Sequence, residues 1–418
     1  MQVYKFGGAS LKDAENIRRA ADIVKNTEDK ELLIIISAIG KTTNALEQVT
    51  TKYFHKDEKA HELLEDIKTK HFDIIQQLFG NQYPEVYDDI NNTFVEIEWV
   101  LEDEPQDTFD FIYDQIVSVG ELLSSKIVSH YLNFIGITSR WIDARSYIQT
   151  DNTYREGRVD WVKTTELVQK SLPTVLTKEI AVTQGFIGNT SENFTTTLGR
   201  EGSDFSASIF ANCLDAKGVT VWKDVPGILN ADPKLFDDTI KFEQISYTSA
   251  IEMTYYGASI IHPKTIKPLQ VKKIPLYVKP FLTPNESGTV IKEEDIPETI
   301  PSIIVKKQQQ LLTISSKDYS FISERHLKVI FEAFAAVNIH ANMMQISALG
   351  FTVCFNQDDQ KSARFNEMLN NQFNLSYKSD LELITIKNAN SETIKKHIDF
   401  GRVELEQRSK KDVQFVVS

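Results

Sequence analysis

The chain has 418 residues, 41% apolar and 25% charged, the make-up of a soluble globular protein long enough for two or three domains. A net charge of −13 argues against nucleic acid, which needs a basic face, and no run of about 18 apolar residues offers a membrane span. The two cysteines, Cys213 and Cys354, sit among apolar neighbours and supply neither a disulfide framework nor a zinc cage.

Val3–Phe6 reads as a strand that begins almost at Met1 and leaves no room for a signal or transit peptide, so a cytoplasmic protein is expected. After the turn Gly7-Gly8-Ala9-Ser10, apolar residues at Ile17, Ala20, Ala21, Ile23 and Val24 predict a helix over 14–24. Leu32–Ser37 is a second strand. Residues 45–135 carry mostly helical spacing (Leu63, Ile67, Phe72, Ile75, Leu78; Ile116, Val119, Leu122, Leu123) and predict a helical lobe. Strand signals return at Ile137–Ile142, Ile180–Phe186, Val219–Trp222 and Ile274–Val278, with helices over 203–214 and 248–256 between them. This alternation implies an α/β fold, a mostly parallel sheet covered by helices on both faces.

Pro280–Pro301, with four prolines and the run Glu293-Glu294-Asp295, reads as a linker. A smaller α+β pattern follows: strands at Ile303–Val305 and Leu311–Ser315, a helix over His326–Ala336, strand signals over Ile346–Phe355 and a helix over Arg364–Asn371. Leu383–Lys387, a helix Thr393–Ile398 and strands Arg402–Gln407 and Val413–Val417 complete it. It has the form of a βαββαβ unit and a shortened second one.

Three segments carry chemistry. Lys5-Phe6-Gly7-Gly8-Ala9-Ser10 places a lysine and paired glycines between strand and helix, either an ordinary βα turn or a phosphate cradle. The nucleotide P-loop and the dinucleotide glycine motif are both absent. Thr196-Thr197-Leu198-Gly199-Arg200-Glu201-Gly202-Ser203-Asp204 joins a guanidinium, hydroxyls and a carboxylate ahead of a helix, which suits an anionic ligand. Trp222–Lys234 is a turn-rich segment after a strand, either a long loop or a nucleotide-binding edge. His262 has no partner at metal-ligand spacing and reads as structural; no residue is assigned to a metal.

Lys5–Ser10, Ser37–Asn44, Thr196–Asp204 and Gly257–Pro263 resemble, in order, the signature blocks of the aspartokinases. The likeness is close over 1–290 and continues through a region similar to ACT sensor domains. It implies the amino-acid-kinase fold and ATP-dependent phosphorylation of the L-aspartate side chain, the first step toward lysine, threonine and methionine, with ATP and Mg²⁺ as cofactors. Domain boundaries expected on this basis are 1–290 for the kinase, 291–302 for a linker, 303–375 for an ACT-like domain and 376–418 for a shortened second module. No second catalytic domain is expected after the sensor region.

By the same resemblance Lys5 contacts the transferring phosphoryl group, and Gly7, Gly8 and Ser10 line the phosphate site. Ser37, Thr43, Glu121, Arg200 and Ser203 surround aspartate, with Glu121 on its ammonium and Arg200 on its α-carboxylate. Asp204 holds Lys5. Lys223, Asp224, Leu229, Lys234, Ser259 and Lys264 are assigned to ATP. Three of these depart from the family pattern: Lys223 replaces a common threonine, Leu229 an aromatic residue, and Ser259 an ATP-contacting lysine. A feedback effector (lysine or threonine), its ligand passage at Val337–Ser347, and self-association through the ACT-like region are further expectations. The rival readings are a catalytically silent amino-acid sensor on this scaffold and a kinase of a related acidic amino acid.

Overall fold

The computed structural model describes every residue except Lys30, 259–260, 295–298 and Tyr319. The chain forms two compact units: Met1–Ile228 with Lys241–Ile251 and Ile260–Ile296, and Leu229–Ile240 with Glu252–Ser259 and Pro297–Ser418.

The first unit opens with β1 (Gln2–Phe6), α1 (Ala14–Lys25) and β2 (Leu32–Ile36). Asp13 caps α1 through the Asn16 N–H, so the helix begins where a short acceptor meets the first free donors. All five residues of β2 are buried, because β2 lies between β1 and another parallel strand. Next come the helices α2 (Thr42–Phe54), α3 (Lys59–Phe79), α4 (Pro84–Glu102), α5 (Phe109–Val117) and α6 (Val119–Phe134), the expected lobe. Then follow β3 (Ser139–Trp141), α7 (Trp161–Leu176) and β4 (Ile180–Gln184). A hairpin, β5 (Ile187–Asn189) with β6 (Thr195–Thr197), leads into α8 (Gly202–Cys213) and β7 (Gly218–Lys223). After β8 (Gln244–Ser246) and α9 (Tyr247–Tyr255) come α10 (Pro263–Lys272), β9 (Leu276–Pro280) and β10 (Thr289–Lys292). The sheet order is β3-β4-β2-β1-β7-β9-β10-β8, and only β9–β10 pairs antiparallel. The α/β architecture read from the alternating pattern is thus borne out.

Two elements depart from the sequence reading. β10 lies inside the stretch read as a linker: four residues, Thr-Val-Ile-Lys, are too short to show periodicity among prolines, and their place is set by pairing with β9 and β8. The β5–β6 hairpin was not read either, because its threonines face a buried interior rather than alternating with apolar residues.

The second unit is built on a six-stranded antiparallel sheet. Its elements are β11 (Ser302–Ser316), α11 (Glu324–Ala336), β12 (Ala341–Ile346), β13 (Gly350–Asn356), α12 (Asp359–Leu369), β14 (Phe373–Lys387), α13 (Ser391–His397), β15 (Val403–Arg408) and β16 (Val413–Val417), in the order β12-β13-β11-β14-β16-β15. The two short strands expected at 303–305 and 311–315 are one strand of 15 residues. Its pairing with β14 shifts register between Lys306 and Leu311, and Gln308 and Asp380 take positive φ there. On one side of the bulge Leu312 and Ile314 of β11 and Phe373 of β14 pack in the core around Phe334–Phe351–Phe365. Leu311, Leu381 and Leu383 join a smaller cluster beside it, and Ile386 at the far end of β14 packs in the core around Phe415. A βαββ set, β14-α13-β15-β16, therefore uses Ser302–Lys306 as its neighbouring strand.

Candidate active site

Parallel strands present their C-terminal ends, with the loops that follow, as the usual site of an α/β sheet. Here a cleft of about 880 Å³ opens at that edge, lined by residues from β1, the β2–α2 loop, α5, α6, the start of α8 and the end of β7. Lys5 is the penultimate residue of β1, and its neighbour in register is Val221 of β7, so Lys5 and Lys223 share one face. Asp204 stands in the first turn of α8, where the helix dipole favours an anion. Its Oδ1 lies 2.6 Å from Lys5 Nζ and its Oδ2 lies 3.4 Å from Lys223 Nζ. Burial alone would raise its pKa, but the two ammonium groups overcome that and hold it near 2. One carboxylate is thus committed to fixing two cations at the cleft floor.

Glu121, in the first turn of α6, is the opposite case. Burial pushes its carboxyl up to about 8, with the Ala38 N–H (3.4 Å to Oε1) and the more distant Lys5 only partly offsetting it. Its Oε2 has no hydrogen-bond partner among the described residues. A buried carboxylate with a vacant oxygen facing a cleft is prepared for a cationic ligand group.

The turn after β1 is shaped by close approach. A Cβ on Gly8 would sit 2.7 Å from the Ala38 carbonyl oxygen and 2.9 Å from that of Gly40, so only glycine lets the two loops meet. The Gly40 N–H donates to the Gly8 carbonyl at 3.0 Å, and Ser37 N–H to that of Phe6 at 3.2 Å. Gly7, Gly8, Ser10, Ser37, Thr43, Ser203 and Asp224 all line the cleft. The Ser10 hydroxyl is spent on the Trp222 carbonyl at 3.2 Å, which ties the turn to β7. Arg200 lines the cleft as an exposed residue, just before Glu201, which takes a left-handed conformation to start α8.

The remaining sequence-derived candidates lie elsewhere. Lys264 is at the rim, with Nζ 3.9 Å from Glu156, a cleft residue. Leu229 and Lys234 belong to the second unit and are not among the cleft-lining residues. Ser259 lies outside the described residues. His262 is structural in its contacts: its Nδ1 accepts the Lys264 N–H that opens α10, and its own N–H donates to Glu201.

Sequence reasoning missed one wall. Asp110, Tyr113 and Thr153–Glu156 also line the cleft. Arg155, at φ 65°, lays its guanidinium 4.3 Å from the Tyr113 ring centroid and 3.4 Å from Asp110. Buried Asp114 holds this wall: it accepts the Arg155 N–H (2.9 Å), the Thr197 N–H (2.9 Å) and the Thr197 hydroxyl (2.7 Å), while burial lifts its pKa to about 6. Asp114 amid the apolar residues Phe111, Ile112, Tyr113, Ile116 and Val117 of α5 was the signal available in sequence.

The model of the amino acid kinase family matches residues 1–280. Lysine-sensitive aspartokinase 3 of Escherichia coli (strain K12) is 30% identical over 347 residues, which cover 82% of this chain and 76% of that protein. The chloroplastic bifunctional aspartokinase/homoserine dehydrogenase 1 of Zea mays is 26% identical over 89% of this chain, but this chain spans only 41% of it. The crystal structure of E. coli aspartokinase III with lysine and aspartate (T-state) superposes with a TM-score of 0.82 at 25% identity, covering 100% of this chain and 96% of that one. The same enzyme with aspartate and ADP (R-state) gives 0.81.

Proposed function

Because this chain belongs to the amino acid kinase family and, within it, to the aspartokinases, we propose that it transfers the γ-phosphoryl group of ATP to the side-chain carboxylate of L-aspartate, forming 4-phospho-L-aspartate. The observation that carries the reading is the cleft's charge layout: two cations held by Asp204 on one side, and Glu121 with a vacant oxygen on another.

The acceptor carboxylate has an ordinary pKa near 4 and is ionised at neutral pH, so no general base is needed. The barrier is the approach of two anions, and catalysis is positioning and neutralisation. Lys5 supplies a fixed positive charge to the transferring group, Asp204 keeps it in place, and the Gly7–Gly8 turn brings backbone close to the phosphates. Glu121 receives the substrate ammonium, which repays the cost of its burial. Arg200 meets the α-carboxylate, with Ser37, Thr43 and Ser203 around the substrate. Lys223 and Asp224 face the nucleotide, and Lys264 reaches the same rim. Mg²⁺ is commonly held by phosphate oxygens with one or two carboxylates, and Asp224 is a fitting side chain for it. Its contribution when bound is to neutralise phosphate charge.

We assign the kinase to 1–290, a connection to 291–302, an ACT-like domain to 303–375 and a shorter module to 376–418. No helix among the described residues is long and apolar enough to cross a membrane, and the reaction is assigned to the cytoplasm. The route served is the one to lysine, threonine and methionine. Lysine or threonine is the proposed effector, bound near Val337–Ser347 in a homodimer or larger homo-oligomer. The E. coli relative is lysine-sensitive, and its crystal form contains lysine. The test is incubation with MgATP, hydroxylamine and either aspartate or glutamate, with lysine and threonine titrated in. Hydroxamate from aspartate alone supports the assignment; none from aspartate in folded protein overturns it.

A further inference from the structure

Two guanidinium groups stand at the cleft wall, and only one is free to meet a ligand. Arg155 spends its charge inside the protein, with nitrogens 3.4 Å from Asp110 and 3.8 Å from Glu47, and its guanidinium lies over the Tyr113 ring. Arg200 is exposed and has no ion pair within 4.0 Å among the described residues. No side-chain partner fixes its direction, so its aim depends on the backbone that carries it, the turn from β6 into α8.

That turn rests against the segment holding Arg155. Gly199 has φ +74°, and a Cβ on it would lie 3.1 Å from the Arg155 carbonyl oxygen and 3.2 Å from Cγ of Glu156. The Gly157 N–H donates to the Thr197 carbonyl at 2.8 Å, and the Gly202 N–H closes the turn on the Gly199 carbonyl at 2.9 Å. Asp114 joins the two segments at one point. Its Oδ2 accepts both the Arg155 N–H and the Thr197 N–H, while its Oδ1 takes the Thr197 hydroxyl. Asp114 is fully buried and is not among the cleft-lining residues, so it acts on a ligand only through the segments it ties. Arg200 follows Thr197 closely in the chain, and packed backbone passes a shift over so short a span.

Resting on the reading that Arg200 meets the α-carboxylate of aspartate, we propose that Asp114 is the positioning residue for that contact. By pinning Thr197 to Arg155 it aims Arg200, and it thereby sets the preference for an amino acid with a free α-carboxylate. A guanidinium grips a carboxylate through a planar fork of donors, so the strength of the contact depends on angle as well as distance. The α-carboxylate takes no part in the transfer and is held alike before and during it. Misaiming Arg200 therefore raises KM and leaves kcat in place.

Hydroxamate kinetics with two substrates test the proposal: L-aspartate, and L-isoasparagine, which keeps the side-chain carboxylate but carries a carboxamide in place of the α-carboxylate. The natural chain is compared with Arg200→Ala, Asp114→Ala and Asp114→Asn. Arg200→Ala is expected to lose most of the natural preference for aspartate over isoasparagine. Asp114→Ala is expected to raise the KM for aspartate by about tenfold or more, with kcat within about threefold and the KM for isoasparagine little changed. Asp114→Asn, which keeps the three hydrogen bonds, is expected to bring the KM for aspartate back to within about threefold of the natural value. If circular dichroism shows Asp114→Ala unfolded, Thr197→Val decides, because it removes one of the three bonds; it should raise the KM for aspartate by about threefold or more and spare isoasparagine. A preference lost in Arg200→Ala but intact in Asp114→Ala and in Thr197→Val, both KM values raised alike, or no rescue by Asp114→Asn would overturn the proposal and leave the α-carboxylate reading standing. A preference intact in Arg200→Ala would overturn that reading and the proposal together.

Discussion

Glu121→Gln isolates the charge that we assign to recognition of the substrate ammonium. Lifting the Glu121 pKa from its ordinary 4.5 to about 8 amounts to about 5 kcal/mol against ionising it in the free protein. At pH 7 roughly one molecule in ten then has the carboxylate, so binding an ammonium requires release of a proton. In the natural chain kcat/KM for aspartate should rise about tenfold per pH unit from 6 and level off near 8. Glutamine keeps the shape and the Ala38 contact but has no charge to offer. The variant should lose that pH dependence and about 10²–10³ in kcat/KM at pH 8, the scale of removing one partner of a buried charge pair. Stability gives a second reading with the opposite sign. The native carboxyl keeps its proton between pH 4.5 and 8 while the unfolded one releases it, so the natural chain loses stability across that window as pH rises. Glu121→Gln should lack that fall and melt higher at pH 8.5. Initial hydroxamate rates from pH 6 to 8.5, with thermal melts at both ends, decide it. A flat kcat/KM profile in the natural chain, together with an unchanged KM in Glu121→Gln, would refute the reasoning.

Three further perturbations bear on the site. Lys5→Ala should lower kcat by about 10²–10³, or roughly 3–4 kcal/mol in the barrier, with the fold kept, as measured by hydroxamate turnover and circular dichroism. Gly8→Ala drives a Cβ into two backbone carbonyl oxygens and should cost about 1–3 kcal/mol of stability, read by urea unfolding, along with most activity. Asp114→Asn can keep all three hydrogen bonds, since a carboxamide oxygen accepts from both N–H groups and the Thr197 hydroxyl can turn to accept from the amide. It also removes a buried charge whose pKa of about 6, against an ordinary 3.8, costs about 3 kcal/mol above pH 6. Asp114→Asn should therefore be as stable as the natural chain or more so at pH 8, and Asp114→Ala less stable, in the same unfolding assay.

Much of the frame was legible in sequence because it is written in local periodicity. The unbroken apolar run of β2 marks a strand buried on both faces, and the 3.6-residue spacing in α1 and α3 marks their inner stripes. The motif blocks were legible for a similar reason: Lys5–Ser10 and Gly199–Asp204 each place backbone and side chain in one short turn. The fold brings Lys5, Gly7–Ser10 and Gly199–Asp204 to one cleft, although the blocks are nearly two hundred positions apart. Strand β10 and the full length of β11 were not legible, because a four-residue strand placed by its two neighbours and a strand broken by a bulge have no periodic signature.

What only the tertiary structure decided is who faces whom. Sequence placed a lysine near the end of β1 and an aspartate in the first turn of α8; parallel pairing of β1 with β7 put a second lysine, Lys223, on the same carboxylate. In sequence Glu121 stood out only through the family resemblance; burial beside Ala38, 83 residues earlier, turned it into a carboxyl of pKa about 8 with a vacant oxygen. Asp114 and Arg155 had no motif at all, and their wall exists because α5 and the loop before α7 meet at one edge of the cleft. The division has one physical cause. Backbone conformation and the inward stripe follow from neighbours along the chain, whereas desolvation and charge pairing depend on groups brought together from far apart in it.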